Sequence, residues 1–146
     1  MPFKRQTAPT ALIAMCLCAA ATADPVTLQF NQALDLDTGA LGQPSAIAPF
    51  PGADSGADVR IAYNADKAPH AVVVPMGTTA AAFVADTACT NIIAADVASL
   101  TFSAQTIDRS ISETDCVVVR SDRGVLFKLG NPIESGTNVT LDYTRL

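Results

Sequence analysis

The stretch CVVVRSDRGVLFKL, residues 116–129, decides the fold. Two apolar runs flank Ser-Asp-Arg-Gly at 121–124, and Gly124 can take the left-handed conformation that closes a short hairpin loop. A third run, NVTLDYT at 138–144, alternates apolar and polar side chains after a Gly- and Pro-containing turn at 130–136. These segments predict a three-stranded antiparallel meander.

Further short strands are predicted upstream of the meander. Alternation at 26–30, 58–64 and 100–102, an apolar run at 71–74 ended by Pro75, and the alanine-rich stretch 80–84 all indicate strands. The pattern of residues 90–98 is ambiguous and allows one helix of about two turns, capped by Thr90 or Asn91. The pattern predicts a mainly β fold, either a small antiparallel β-sandwich or an open barrel, with at most one short helix.

The first 23 residues have the composition of a cleavable signal peptide. Lys4 and Arg5 precede an uncharged run at 11–20, and Ala21-Thr22-Ala23 supplies the small-x-small cleavage pattern. The apolar run is shorter than the roughly 20 residues that span a bilayer. Cys16 and Cys18 lack the small residue that precedes the cysteine of a lipoprotein signal. We therefore expect a secreted or periplasmic protein, with residues 24–146 forming one disulfide-stabilised β-domain.

Cleavage after Ala23 changes the charge and the cysteine count. The basic residues fall from 9 to 7 against 14 acidic ones, which gives the mature chain a net charge of −7. Such a chain repels nucleic acid and anionic lipid, so neither is an expected partner, nor is stable membrane insertion. Cys89 and Cys116 are the cysteines that remain, and an even pair in an oxidising compartment predicts a disulfide between them.

Residues 37–40 read Asp-Thr-Gly-Ala, which resembles the D-T-G-[SA] signature of aspartic proteases. That chemistry requires two carboxylates that share a proton and activate water. The resemblance implies that Asp37 is the catalytic carboxylate, with dimerisation supplying the second one as in small retroviral-type enzymes. Asp35 stands where the family has an apolar residue, and the composition of 37–39 also favours an ordinary turn.

Three other groups of residues suggest weaker site hypotheses. Asp35 and Asp37 begin like a calcium loop, and a calcium site drawing on Asp35, Asp37, Asp54 or Asp58 is an open alternative, although neither a metal nor a cofactor is predicted. The single histidine, His70, either acts as a general base or has a structural role at a strand end. Cations of the 116–129 hairpin could bind an anion or simply face solvent: Arg120, Arg123 and Lys128.

These patterns predict a non-enzymatic binding or structural module, with a protein or a small ligand as its partner outside the cytoplasm. The alternative is a small hydrolase that uses Asp37. Residues 41–58 are rich in Gly and Pro and predict a long loop, and loops of this length are often functional. Such a loop could cover a site.

Overall fold

A computed structural model describes residues 24–42, 56–64 and 70–146. The predicted signal peptide, Asp54 and most of loop 41–58 lie outside these residues. Eight strands are present in the described residues: β1 Asp24–Gln29, β2 Gln32–Leu34, β3 Val59–Asn64, β4 His70–Pro75, β5 Ala80–Val84, β6 Cys116–Arg120, β7 Leu126–Ser135 and β8 Asn138–Arg145. Helical structure in this part of the chain is confined to two 3₁₀ turns, Cys89–Asn91 and Asp96–Ser99. None of it is long and apolar enough to cross a bilayer.

The strands form two antiparallel sheets, which fits the predicted sandwich or open barrel. One sheet has the order β1-β8-β7-β6-β5, and the other has the order β2-β3-β4. Strands β6, β7 and β8 are consecutive neighbours, which confirms the C-terminal meander. Their connecting turns use Gly124 and Gly136 at positive φ, as hairpin geometry requires. The mainly β fold class is therefore confirmed.

Strand β6 explains why its sequence is a continuous apolar run. Val117 and Val119 face the main core, which contains side chains of both sheets, including Leu28 and Ile61. Val118 faces the opposite way, into a second apolar cluster formed with residues of the 3₁₀ turns. Because both faces of β6 are covered, an alternating pattern would leave polar side chains without solvent. All of Cys116–Val119 is fully buried.

Three sequence-based assignments are wrong in detail. The helix predicted at 90–98 is replaced by the two 3₁₀ turns, and Asp96 Oδ2 accepts a hydrogen bond from the Ile93 N–H between them. An aspartate that bonds nearby backbone in this way competes with continuous helix. The turn predicted at 130–136 is mostly strand, because β7 continues through a bulge between Gly130 and Ile133 that accommodates Pro132. Residues 100–102 are not a strand.

A segment without regular structure closes one side of the sandwich. We call residues 101–109 the edge strap. Ile107 pairs with Val73 on the outer edge of β4, and Ser103 pairs with Ala81 on the outer edge of β5. Guanidinium groups pack on aromatic rings at both ends of the strap, Arg120 over Phe102 and Arg109 over Phe83. The strap therefore joins the edges of the two sheets.

Candidate functional site

The D-T-G-A motif lies in a tight loop held by the carboxylate of Asp35. Asp35 Oδ1 accepts hydrogen bonds from the backbone N–H groups of Asp37 and Thr38, at 2.9 and 3.1 Å. The Asp35 backbone receives the N–H of Gly39 and donates to the carbonyl of Ala40. Gly39 has φ +74°, a conformation that favours glycine. The loop is thus a turn stabilised by its first aspartate, as its composition predicts.

Asp58 lies beneath this loop and is fully buried. Its Oδ2 accepts the Leu36 N–H at 2.8 Å, and its Oδ1 accepts the Thr79 hydroxyl at 3.0 Å and the Asp122 N–H at 2.9 Å. Its backbone N–H donates to the Leu34 carbonyl. One carboxylate therefore joins the 35–40 loop, the β4–β5 turn and the β6–β7 turn to the start of β3.

Burial and hydrogen bonding act on Asp58 in opposite directions. Removal from water penalises the charged form and raises the pKa of the Asp58 carboxyl above its usual value. The hydrogen bonds from Asp122, Leu36 and Thr79 favour the charged form and offset part of that rise, while the nearby Asp37 adds to it. The balance is a pKa of the Asp58 carboxyl above its ordinary value.

Asp37 completes a group of three carboxylates, which we call the acidic cluster: Asp35, Asp37 and Asp58. One oxygen from each residue lies within 4.8 Å of the other two. The Asp37 side chain is only 8% exposed, and its Oδ2 is buried without a hydrogen bond from the described residues. Arg123 Nε lies 3.8 Å from that oxygen, beyond hydrogen-bonding distance, and the Arg123 side chain is 61% exposed.

The structure brings together some of the predicted site residues and separates others. Three of the four aspartates considered for calcium meet in the acidic cluster, and Asp54 lies outside the described residues. The partners of Asp58, namely Leu36, Thr79 and Asp122, were not predicted from the sequence. Two of them contribute only a backbone N–H, which any residue other than proline could supply, so no residue-type signal marks them.

The other candidates have separate surroundings. His70 is the first residue of β4, and its Nε2 lies 2.9 Å from Asp108 Oδ1. Lys128 Nζ donates to the Ile92 carbonyl, Arg120 packs on an aromatic ring, and Arg123 lies beside Asp37. The hairpin cations thus contact three different partners within the chain.

The disulfide lies at the opposite side of β6 from the main core. Cys89 and Cys116 are bonded, as predicted, with a Cα–Cα distance of 4.8 Å. The bond fixes the first 3₁₀ turn to the start of β6. Gly130 lies against it, and a Cβ there would stand 2.9 Å from Cys89 Sγ. A glycine in β7 is therefore required by the close approach of the disulfide.

A small apolar cavity lies between the sheets, with Ile61, Val73, Leu129 and Leu141 in its wall. None of the carboxylates of the acidic cluster lines it. The cavity and the acidic cluster are therefore separate features of the described structure.

Comparison with models of known protein families, with curated proteins and with solved structures finds no match.

Proposed function

We propose that this chain is an exported, non-enzymatic β-sandwich module with a binding or structural role outside the cytoplasm. The observation that carries the proposal is the burial and hydrogen bonding of the Asp58 carboxylate. A protease dyad within one chain requires a second carboxylate that shares a proton with Asp37 and is accessible to a water. Both Asp58 oxygens accept hydrogen bonds from the fold, and the residue has no exposure. These contacts support a role for the carboxylates in holding loops.

Two features support export. The Cys89–Cys116 disulfide is of a kind that persists in oxidising compartments. Asp24–Gln29 forms β1 and pairs with β8 along its whole length, so a cut after Ala23 leaves the strand intact. The same cut removes Cys16 and Cys18, so neither can compete for the bonded pair.

Export is tested by expressing the full chain with its N-terminal segment and measuring the intact mass of the protein outside the cytoplasm. We expect a protein that starts at Asp24 and carries no free thiol. An uncleaved chain retained in the cytoplasm with reduced cysteines would overturn the exported part of the proposal. Replacing both Lys4 and Arg5 with glutamate should reduce export, because the signal then lacks its positive start.

The hydrolase alternative is tested by incubating the purified protein with unfolded protein substrates at acid pH. We expect no proteolysis by the wild type, and the same result for Asp37→Asn. Asp142→Asn is the matched control, since it removes one charge from β8 outside the acidic cluster. Acid proteolysis that Asp37→Asn abolishes and Asp142→Asn retains, with both variants folded, would establish the hydrolase instead.

A further inference from the structure

We propose that the acidic cluster is a Ca²⁺ site formed by Asp35, Asp37 and Asp58. The three side chains bring one oxygen each to within 4.8 Å of one another. Two Ca²⁺–O bonds of about 2.4 Å allow ligand oxygens to lie up to roughly 4.8 Å apart, so one ion can contact all three. The inference does not depend on export, although a compartment outside the cytoplasm would be a ready source of calcium.

A second observation points to a missing cation. Asp37 Oδ2 is buried and accepts no hydrogen bond from the described residues, and its side chain is 8% exposed. A buried polar atom is costly when no group donates a hydrogen bond to it or coordinates it. Arg123 forms an ion pair with this oxygen, but its Nε, at 3.8 Å, is too far away to donate a hydrogen bond, and its side chain is 61% exposed. A bound cation would give this oxygen the direct contact that it lacks.

The hydrogen bonds within the acidic cluster leave lone pairs in suitable places. Each carboxylate oxygen can accept about two bonds. Asp35 Oδ1 already accepts two N–H groups, which leaves its Oδ2 for an ion. Asp58 Oδ1 also accepts two donors, whereas its Oδ2 accepts only one. Each member of the acidic cluster therefore has accepting capacity beyond the bonds that shape the loop.

The ligand chemistry favours calcium among the divalent ions. Carboxylate oxygens are hard ligands, and the acidic cluster contains no histidine or cysteine to select zinc or copper. Mg²⁺ requires bonds of about 2.0–2.1 Å in near-octahedral geometry, which hydrogen-bonded carboxylates in a fixed loop adopt less readily. Ca²⁺ accepts irregular shells completed by water. With three side-chain ligands, we expect affinity in the range of extracellular modules, about 10⁻⁴ to 10⁻³ M.

The experiment is a titration of the purified protein with CaCl₂, using isothermal calorimetry for binding and thermal unfolding for stability. NaCl at matched ionic strength and MgCl₂ are the controls. For a Kd of about 1 mM, 10 mM Ca²⁺ should shift the folding equilibrium roughly tenfold towards the native state. No binding at 10 mM, or an equal response to Mg²⁺ and Ca²⁺, would overturn the proposal.

Variants locate the site. Asp37→Asn removes one ligand charge at a carboxylate whose Oδ2 accepts no hydrogen bond from the described residues, and it should weaken Ca²⁺ binding at least tenfold. Asp142→Asn should bind like the wild type. Arg123→Gln removes the nearby cation and should tighten binding, which gives a gain that a damaged fold would not produce. Unchanged Ca²⁺ affinity in both Asp37→Asn and Arg123→Gln would place the ion elsewhere and refute the site.

Discussion

The disulfide and the acidic cluster both attach irregular segments to the same sandwich, but by different chemistry. At Cys89–Cys116 a covalent bond joins a 3₁₀ turn to β6 among apolar side chains. At Asp58 one buried carboxylate joins two turns and a loop through hydrogen bonds. The first attachment constrains chiefly the unfolded chain, whereas the second depends on the electrostatics of the folded one. The two regions should therefore respond differently to reductant, substitution and pH.

The largest expected effect is loss of the covalent attachment. The Cys89→Ala/Cys116→Ala double variant opens a link between residues 27 apart in sequence, and should lose about 3.5 kcal/mol of unfolding free energy. Urea denaturation measures this loss. Reductant should destabilise the wild type by a comparable amount and leave the variant unchanged. A loss below about 1 kcal/mol would mean that the disulfide adds little to the stability of the fold.

In the acidic cluster, Asp58→Asn should lower the unfolding free energy by less than removal of the disulfide does. The oxygen of the asparagine side chain can still accept hydrogen bonds from Thr79 and Asp122. Its NH₂ group then faces the Leu36 N–H, and because both groups are donors, a buried polar group is left without an acceptor. We expect a loss of about 2 kcal/mol. Because this cost does not involve the disulfide, urea denaturation should give nearly the same cost of Asp58→Asn with and without reductant. Asp142→Asn, the control in β8, should change stability by less than about 0.5 kcal/mol.

Gly130→Ala tests how closely the disulfide packs against β7. The added methyl would lie 2.9 Å from Cys89 Sγ and 3.2 Å from Cys89 Cβ, so the strand or the disulfide must shift. The expected cost is about 1.5 kcal/mol. In the double-alanine background Sγ is gone, and the cost measured by the same denaturation should shrink. An equal cost in both backgrounds would assign the effect to the β7 bulge instead.

The smallest expected effects are changes of unfolding free energy with pH. These changes have opposite signs beside the disulfide and in the acidic cluster. Beside the disulfide, hydrogen bonds from Ser112 and Asp86 lower the pKa of Asp115 below 3.8. Its stabilising contribution is therefore present above pH 3.8 and is lost as pH falls through the folded-state pKa. Burial raises the pKa of Asp58 above 3.8. Its contribution is fully present below pH 3.8 and is lost as pH rises through the folded-state pKa.

The corresponding asparagine variants should show these opposite trends in unfolding free energy measured from neutral to acid pH. The cost of Asp115→Asn should shrink as the pH falls below 3.8. The cost of Asp58→Asn should instead grow as the pH falls through the folded-state pKa towards 3.8, and should level off below 3.8. Asp115 is partly exposed, so its effect should also weaken in high salt. Parallel trends for the two variants would contradict the distinction between the regions.

The sequence predicts the region around β6 well because its information is local. The apolar run at 117–119, the glycine of the hairpin turn and the alternation of β8 each occupy a few consecutive residues. The disulfide follows from the pairing of two cysteines. Prediction fails where a nearby side chain competes with the backbone pattern, as Asp96 does at the predicted helix, and where a bulge lets β7 continue past Pro132.

The acidic cluster is only partly predictable, because its contacts are distant in the chain. The D-T-G-A motif draws attention to Asp37, and the spacing to Asp35 suggests an oxygen-rich loop. Asp58 meets its partners at separations of 22, 21 and 64 residues, and these meetings depend on how the turns of two sheets approach each other. Neither composition nor periodicity encodes that approach.

The edge strap has a consequence for how folded copies of the chain behave together. Ile107 exchanges both backbone hydrogen bonds with Val73, and Ser103 does the same with Ala81. Unpaired groups on sheet edges are templates on which another chain can add a strand and begin a fibre. At each of these two edges the molecule's own backbone already pairs with one residue of the strand, Val73 in β4 and Ala81 in β5. Growth of fibres from β4 or β5 therefore requires the strap to detach first, which makes that local opening the step that controls polymerisation there.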